Sequence, residues 1–279
     1  LAVSARAAEK RADFLVPILK AGQAPKLDGR IGPEEWAGAF RIDGFGSDRR
    51  KASGYVTVTE ERLYLAIRSQ LPDEGRILAK VESDSSSMIF DDSIEVWIDP
   101  TPGADGGARY QLMTNYPGRQ WSTAHLRGQG VEGLSKADAK QWRADWSVAN
   151  GRHDGYWHCE MTVEINSLPS AHPVEEGRWY IDLWRNWKRP WNQAFMTNRK
   201  GIWRFTTEPT PAVRLIDAGV RYEGEIDYRL ELFNPTDTEM PVKASLELKR
   251  DVLPTLSRQI EESLAAGATK TVRLPINDV

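Results

Sequence analysis

What most constrains this chain is a pattern that recurs along it: short runs in which apolar and polar residues alternate. Ser93-Ile94-Glu95-Val96-Trp97-Ile98-Asp99 is the clearest case, with Ile94, Val96 and Ile98 sharing one side. Successive side chains of a strand point to opposite faces, so a period of two marks a half-buried strand. Residues 55–59 and 63–67 repeat the pattern and are joined by Glu60-Glu61-Arg62, which predicts a hairpin. Residues 109–114 form another such run beyond a turn-rich loop at 99–107, residues 157–165 alternate again, and 179–184 are strongly apolar. Residues 14–19 read as a first strand, which Pro17 places at a sheet edge. Long helical periodicity is absent. Many short strands with Gly and Pro turns predict an all-β chain built as an antiparallel β-sandwich.

The 11 tryptophans divide the chain, since none precedes Trp36 and none follows Trp203. After Pro209-Thr210-Pro211 come alternating runs at 228–233, 242–249 and 270–276, separated by turns at Asn234-Pro235-Thr236-Asp237 and Gly267-Ala268-Thr269. We expect a sandwich over 23–217 and a second, smaller immunoglobulin-like β-domain over 218–279. That domain would be truncated or minimal, because a full one takes about 100 residues. Residues 1–22 are expected to be a linker or an N-terminal helix, since 3–14 have helical composition and a weak apolar stripe. A net charge of −3 and a pI of about 5.9 point away from nucleic acid and from anionic membranes as partners. No 18-residue apolar run predicts a membrane span. Cys159 is the one cysteine, so an internal disulfide is excluded. The chain opens on Leu1 and closes on Asn277-Asp278-Val279, and we expect a processed or excised piece of a longer polypeptide.

Five motifs occur in order between residues 23 and 217. The first is Ala24-Pro25-Lys26-Leu27-Asp28-Gly29-Arg30-Ile31, closing at Glu35-Trp36. The second runs from Asp91-Asp92-Ser93-Ile94-Glu95 to Pro100, and the third from Tyr110 to the turn Asn115-Tyr116-Pro117-Gly118. Gly155-Tyr156-Trp157-His158-Cys159-Glu160, continuing to Leu168, is the fourth, and Trp179-Tyr180-Ile181-Asp182-Leu183-Trp184-Arg185 the fifth. Together they resemble the family 9-type carbohydrate-binding modules of the DOMON-like β-sandwich superfamily. The resemblance implies a sandwich that grips oligosaccharide or polysaccharide, a structural calcium, and attachment to a glycan-active enzyme. It thereby implies a secreted, cell-surface or periplasmic location. The chain departs from the pattern at Met113, where the reducing-end-binding members carry arginine, and at Met88-Ile89-Phe90, where Phe90 stands in for their aromatic. A related electron-transfer branch holds haem between Met and His. Met88, Met113, Met161, His125 and His158 are present, but no spacing identifies a pair. A structural spacer without ligand is the other alternative.

Catalysis by a glycosidase needs two carboxyls about 5–9.5 Å apart. Asp91, Asp92 and Glu95 are the candidate acids, but Asp91 and Asp92 are adjacent and Asp92 and Glu95 differ in strand parity. Nucleophile, zinc and phosphate-loop motifs are missing. The expectation is a non-catalytic module without an organic cofactor. Calcium would draw on the acid-rich stretches at Asp73-Glu74, Asp84 and Asp91-Asp92.

Sugar binding calls for aromatic planes beneath the C–H faces of a pyranose, and for groups that bond two hydroxyls at once. The cluster from Arg185 to Gln193 places Trp187 and Trp191 among Arg185, Asn186, Lys188 and Asn192. A second cluster is Asn115, Arg119, Gln120 and Trp121, read as a hairpin tip. Glu95, on the polar side of its strand, could accept from a diol. The predicted carbohydrate-binding residues are Glu95, Asn115, Arg119, Gln120, Trp121, Arg185, Asn186, Trp187 and Trp191. Trp36, Trp97 and Trp157 read as mainly structural. Trp179 reads as core, while Trp184 alternates with it on the face of Tyr180 and Asp182.

Overall fold

The computed structural model describes residues 13–47, 50–72, 76–171, 177–188, 193–196, 202–208, 210–217, 225–248 and 254–277. The expected helix at 3–14 lies almost wholly outside them. The strands are β1 (Asp13–Pro17), β2 (Phe40–Ser47), β3 (Arg50–Val58), β4 (Arg62–Gln70), β5 (Ser93–Asp99), β6 (Gly107–Asn115), β7 (Gln120–Arg127), β8 (Trp146–His153) and β9 (Tyr156–Glu164). They continue as β10 (Arg178–Trp187), β11 (Gln193–Met196), β12 (Ile202–Thr206), β13 (Ala212–Asp217), β14 (Glu225–Phe233), β15 (Met240–Leu248), β16 (Leu256–Leu264) and β17 (Thr269–Asn277). A single helical turn, α1 (Lys136–Ala139), and three short 3-10 turns complete the described elements.

Two large sheets face one another. The first runs β1-β12-β10-β5-β6-β7, with β11 also on β10, and the second runs β17-β14-β13-β2-β3-β4-β9-β8. The alternation of β5 now has its reason: Ile94, Val96 and Ile98 are fully buried between the sheets, opposite Leu65, Ile67 and Met161 of the second sheet in one continuous core. Fully burying a side chain of this kind contributes about 1.5–3 kcal/mol. Both sheets are mixed, which differs from the purely antiparallel expectation. β1 pairs in parallel with β12, and β13 in parallel with β2. Pro17 does lie on an edge strand.

Residues 24–39 lie across the outer face of the second sheet, where Ile31, Trp36 and Ala39 pack on Tyr55, Tyr64 and Ala66. A single buried carboxylate organises this cover. Glu160 Oε2 accepts from the backbone N–H groups of Asp28, Gly29 and Arg30 at 3.2, 2.7 and 3.1 Å, and its Oε1 accepts from Trp36 Nε1 at 2.9 Å. Three successive N–H groups can converge on one oxygen only because Gly29 takes a positive φ of 83°. The opening Asp-Gly turn and the later Glu-Trp pair are thus tied together through a residue far along the chain. Next to it, His158 Nδ1 accepts from Ile31 N–H at 3.0 Å.

Of the described strands beyond residue 218, two extend the second sheet. β14 pairs with β13, and β17 with β14, so both continue the second sheet. β15 and β16 form a separate two-stranded sheet. Leu232, Leu264 and Val272 make a small core of their own at this end.

Candidate functional site

The parity that buries Ile94, Val96 and Ile98 turns Ser93, Glu95, Trp97 and Asp99 to the outside of the first sheet. Strand register carries this face across four strands. Trp184 of β10 is opposite Glu95, Glu95 opposite Met113 of β6, and Met113 opposite Trp121 of β7. The adjoining row is Asp182, Trp97, Gln111 and Thr123, and beyond it lie Tyr180 beside Asp99 and Arg109 beside His125. On the other flank Asn186, Ser93 and Asn115 form a row. Neighbouring strands are about 4.8 Å apart, so Trp184 and Trp121 stand at either side of a floor roughly 14 Å wide.

The floor is polar, buried and bonded within itself. Glu95 Oε1 accepts from Trp97 Nε1 at 2.5 Å and Gln111 Nε2 at 2.7 Å, while Oε2 faces Asn186 Nδ2 at 3.4 Å. Asp182 Oδ2 accepts from Trp184 Nε1 at 2.9 Å and from the Tyr180 hydroxyl at 3.0 Å. Each carboxylate therefore fixes the indole of a neighbouring tryptophan. Gln111 turns its amide N–H to Glu95, so its oxygen faces His125 Nε2 at 3.1 Å and calls for a proton there. Burial, with help from Arg109, lowers the His125 pKa, and Glu95 opposes the shift. The ring therefore donates from Nε2. Arg109 lies over the faces of Trp97 and Tyr180, at 4.2 and 5.4 Å from the ring centroids. The half-buried rings of Trp97, Trp121, Tyr180 and Trp184 rise from this floor. Phe90, 74% exposed, stands just before β5. Chemically, the face offers aromatic surface at its sides and oriented donors and acceptors between.

The structure distributes the predicted ligand residues unevenly. Glu95, Asn186 and Trp121 lie on this face. Arg185 and Trp187 do not: they have the inward parity of Trp179, Ile181 and Leu183, and both are buried in the core. The Arg185 guanidinium sits between the rings of Trp157 and Trp187, at 4.8 and 4.5 Å. Its Nη1 pairs with Asp92 Oδ1 at 3.2 Å and its Nε donates to Ser69 Oγ at 2.8 Å. Asn115 is fully buried and structural. Its Nδ2 donates to Asp91 and to the Val81 carbonyl, and its Oδ1 accepts from Arg119 N–H. Arg119 is exposed in the β6–β7 turn, and Gln120 is half-buried with its N–H on Asp84. Trp191 lies outside the described residues. Asp182, Gln111, Tyr180, Arg109, His125 and Thr123 were not among the predicted saccharide ligands, and it is the register of neighbouring strands that brings them to this face.

The expected calcium ligands have other work. Asp91 accepts from the N–H groups of Lys80 and Val81 at 2.8 and 2.9 Å and from Asn115 at 3.0 Å. Asp92 accepts from Leu78 N–H and Lys188 N–H and pairs with Arg185. These donors fill the acceptor positions that a cation would need, so the pair clasps the loop before β5. Asp73 and Glu74 lie outside the described residues. Asp28, Glu35 and Glu160 each bring one carboxylate oxygen within 4.8 Å of the others and could hold a metal ion. Both Glu160 oxygens already meet N–H groups, so a cation there would rest mainly on Asp28 and Glu35. Of the haem candidates, Met161 is in the core, His158 is under the 24–39 cover and His125 is on the opposite sheet.

No protein-family model and no curated protein matches this chain. Solved structures do. A family 9 carbohydrate-binding module from Caldicellulosiruptor kristjanssonii in complex with cellotriose is similar at 12% identity and a TM-score of 0.47, over 76% of this chain and 99% of that one. A family 9 module from the same organism in complex with glucose is similar at 12% identity and a TM-score of 0.46, over 70% of this chain and 95% of that one.

Proposed function

We propose that this chain is a non-catalytic carbohydrate-binding module that holds oligosaccharide on the outer face of β10, β5, β6 and β7. One observation carries the reading. Trp184 and Trp121 stand half-buried at either side of a buried polar floor made by Glu95, Asp182, Gln111 and Asn186, and further ring surface comes from Trp97 and Tyr180. Exposing so much aromatic surface is unfavourable unless a ligand covers it. A pyranose chain laid across the floor would place C–H groups on the rings and hydroxyls on Glu95 Oε2 and Asn186. Glu95 and Asp182 each hold the indole N–H of a tryptophan, a positioning role that leaves neither placed as the acid of a hydrolytic pair. The sequence motifs add that such a module belongs to a larger secreted glycan-active protein. If a structural calcium is bound, Asp28, Glu35 and Glu160 support it better than Asp84, Asp91 and Asp92. A melting temperature that is the same in calcium and in chelator would set that aside.

The test of the binding reading is a panel of soluble oligosaccharides screened by affinity electrophoresis. The ligand found is then titrated calorimetrically against wild type, Trp184→Ala and Trp121→Ala. Losing an aromatic anchor should cost about 2 kcal/mol, roughly a thirtyfold loss of affinity, with the melting temperature held. A panel without a ligand, or two variants that bind like wild type, would overturn the reading.

A further inference from the structure

We infer that the saccharide this face takes is acidic, a chain containing uronic acid, with Arg109 binding its carboxylate. The inference rests on the carbohydrate reading above and concerns the same face.

The argument is a charge balance at the surface. The carboxylates of the face are buried beneath donors: Glu95 is 5% exposed, Asp182 1% and Asp99 6%. Glu95 holds Trp97 and Gln111, Asp182 holds Trp184 and Tyr180, and Asp99 holds Arg127 Nη2 at 2.9 Å and Thr101 N–H at 3.0 Å. Their oxygens are thus engaged from within the protein, and Asp99 is also ion-paired with Arg127. Arg109 is in the opposite position. Among the described residues no carboxylate lies within ion-pairing distance of it, and its Nε is buried with no hydrogen-bond partner. Its contacts are the ring faces of Trp97 and Tyr180, which strip water from the guanidinium without supplying an acceptor.

A partly desolvated cation with an orphaned donor is an unfavourable arrangement in the free protein. An incoming anion that meets the outer Nη groups would answer the charge, though not the buried Nε. Contact with Trp97 and Tyr180 positions the guanidinium, whose planar fork matches the two oxygens of a carboxylate. A neutral hydroxyl would satisfy one N–H and leave the charge unmatched. Arg109 lies two rows from Glu95, about 13 Å along the strands, so a chain of two or three sugar units would reach from the Glu95 floor to the guanidinium.

The experiment compares matched ligands. Oligogalacturonides, oligoglucuronates and alginate oligomers are each titrated calorimetrically beside their methyl esters, against wild type, Arg109→Gln and Trp184→Ala. For the pair that binds, wild type should prefer the free acid by roughly tenfold or more, as a charge-assisted contact does. That preference should shrink with added salt. Arg109→Gln should bind acid and ester alike, with ester affinity close to wild type. Trp184→Ala should weaken both forms and keep the preference. Acid and ester binding equally to wild type, or a preference surviving Arg109→Gln, overturns the inference and leaves the carbohydrate reading standing. If no member of any pair and no neutral oligosaccharide binds, both fail. The wild-type ratio and its salt dependence need no variant, so the outcome does not hang on whether Arg109→Gln folds.

Discussion

Arg185 gives the sharpest test of how the first sheet is built. Its side chain is fully buried, as is that of its partner Asp92. Arg185→Met would keep the length and apolar stem and remove the charge. The Asp92 carboxylate would then be a buried anion without its guanidinium partner, and breaking such a pair costs about 3–5 kcal/mol, with the Lys188 charge nearby offsetting part of it. Two backbone donors remain on it, Leu78 N–H at 2.7 Å and Lys188 N–H at 3.1 Å, so the lower end applies. Methionine also keeps contact with the Trp157 and Trp187 rings. We expect a loss of about 3 kcal/mol, which lowers the melting temperature by roughly 6–12 °C in a chain of this size. Adding Asp92→Asn removes the stranded charge, and the double variant should be less destabilised than the sum of the two singles. Urea unfolding and calorimetry read both quantities. The folded fraction should still bind saccharide with wild-type affinity, because Arg185 points away from the outer face. A variant that melts within about 2 °C of wild type, or one that melts normally and loses sugar, would refute the placement of Arg185 as a core cation.

Trp187→Ala should lose about 3–5 kcal/mol of stability as a core cavity, and sugar affinity should fall only as the folded fraction does; titration at a temperature where the variant is folded checks this. Gly29→Ala should destabilise the 24–39 cover, since a Cβ there would lie 2.8 Å from the Asn150 carbonyl carbon and oxygen at a positive φ of 83°; faster hydrogen exchange at residues 28–31 is the readout. Glu160→Gln keeps the shape of the acceptor but loses its charge, at a cost of about 1–3 kcal/mol, with a red shift in Trp36 emission. Burial first, then Arg68 and His153, pulls the His158 pKa down to about 4 from 6.5. The unfolded chain therefore binds the extra proton between those values. The stabilising contribution is fully present above pH 6.5 and is lost as pH falls toward 4, by up to about 1.4 kcal/mol per pH unit. His158→Asn should flatten that slope, and unfolding curves that stay parallel to wild type across this range would remove the assignment.

Much of the sandwich was legible because alternation is a local signal. β5, β6, β9 and β10 stand where their residues alternate, and the inward set of β5 is the apolar one. The parallel pairs β1–β12 and β13–β2 were not legible, since each joins segments far apart in sequence and leaves no local mark. Arg185 was misread for a different reason. Its identity suggested solvent while its parity pointed inward, and what reconciles the two is Asp92, Ser69 and Trp157, all remote in sequence. Glu160 was seen only as part of a motif, because the groups that define it belong to residues 28–36. On the outer face, Glu95 was recognised for its chemistry, but its row partner Trp184 and the floor residues Asp182 and Gln111 become visible only once the register is known. Arg109 was the least visible, since only the rings beneath it and its missing partner distinguish it from any exposed arginine.

The way β14 and β17 continue the second sheet bears on where this chain can be cut. β13 is paired on one side with β2 and on the other with β14. A fragment ended at residue 217, where the tryptophan distribution invites a boundary, would strip the backbone N–H and C=O groups of β13 of one neighbour. It would leave an open strand that other copies can join. Among the described strands the outermost on that side is β17. It carries Lys270, Arg273 and Pro275, residue types that discourage another strand from pairing alongside. The last strands thus act as a guard for the rest of the second sheet, and the shorter fragment should form aggregates that sediment while the full chain stays dispersed.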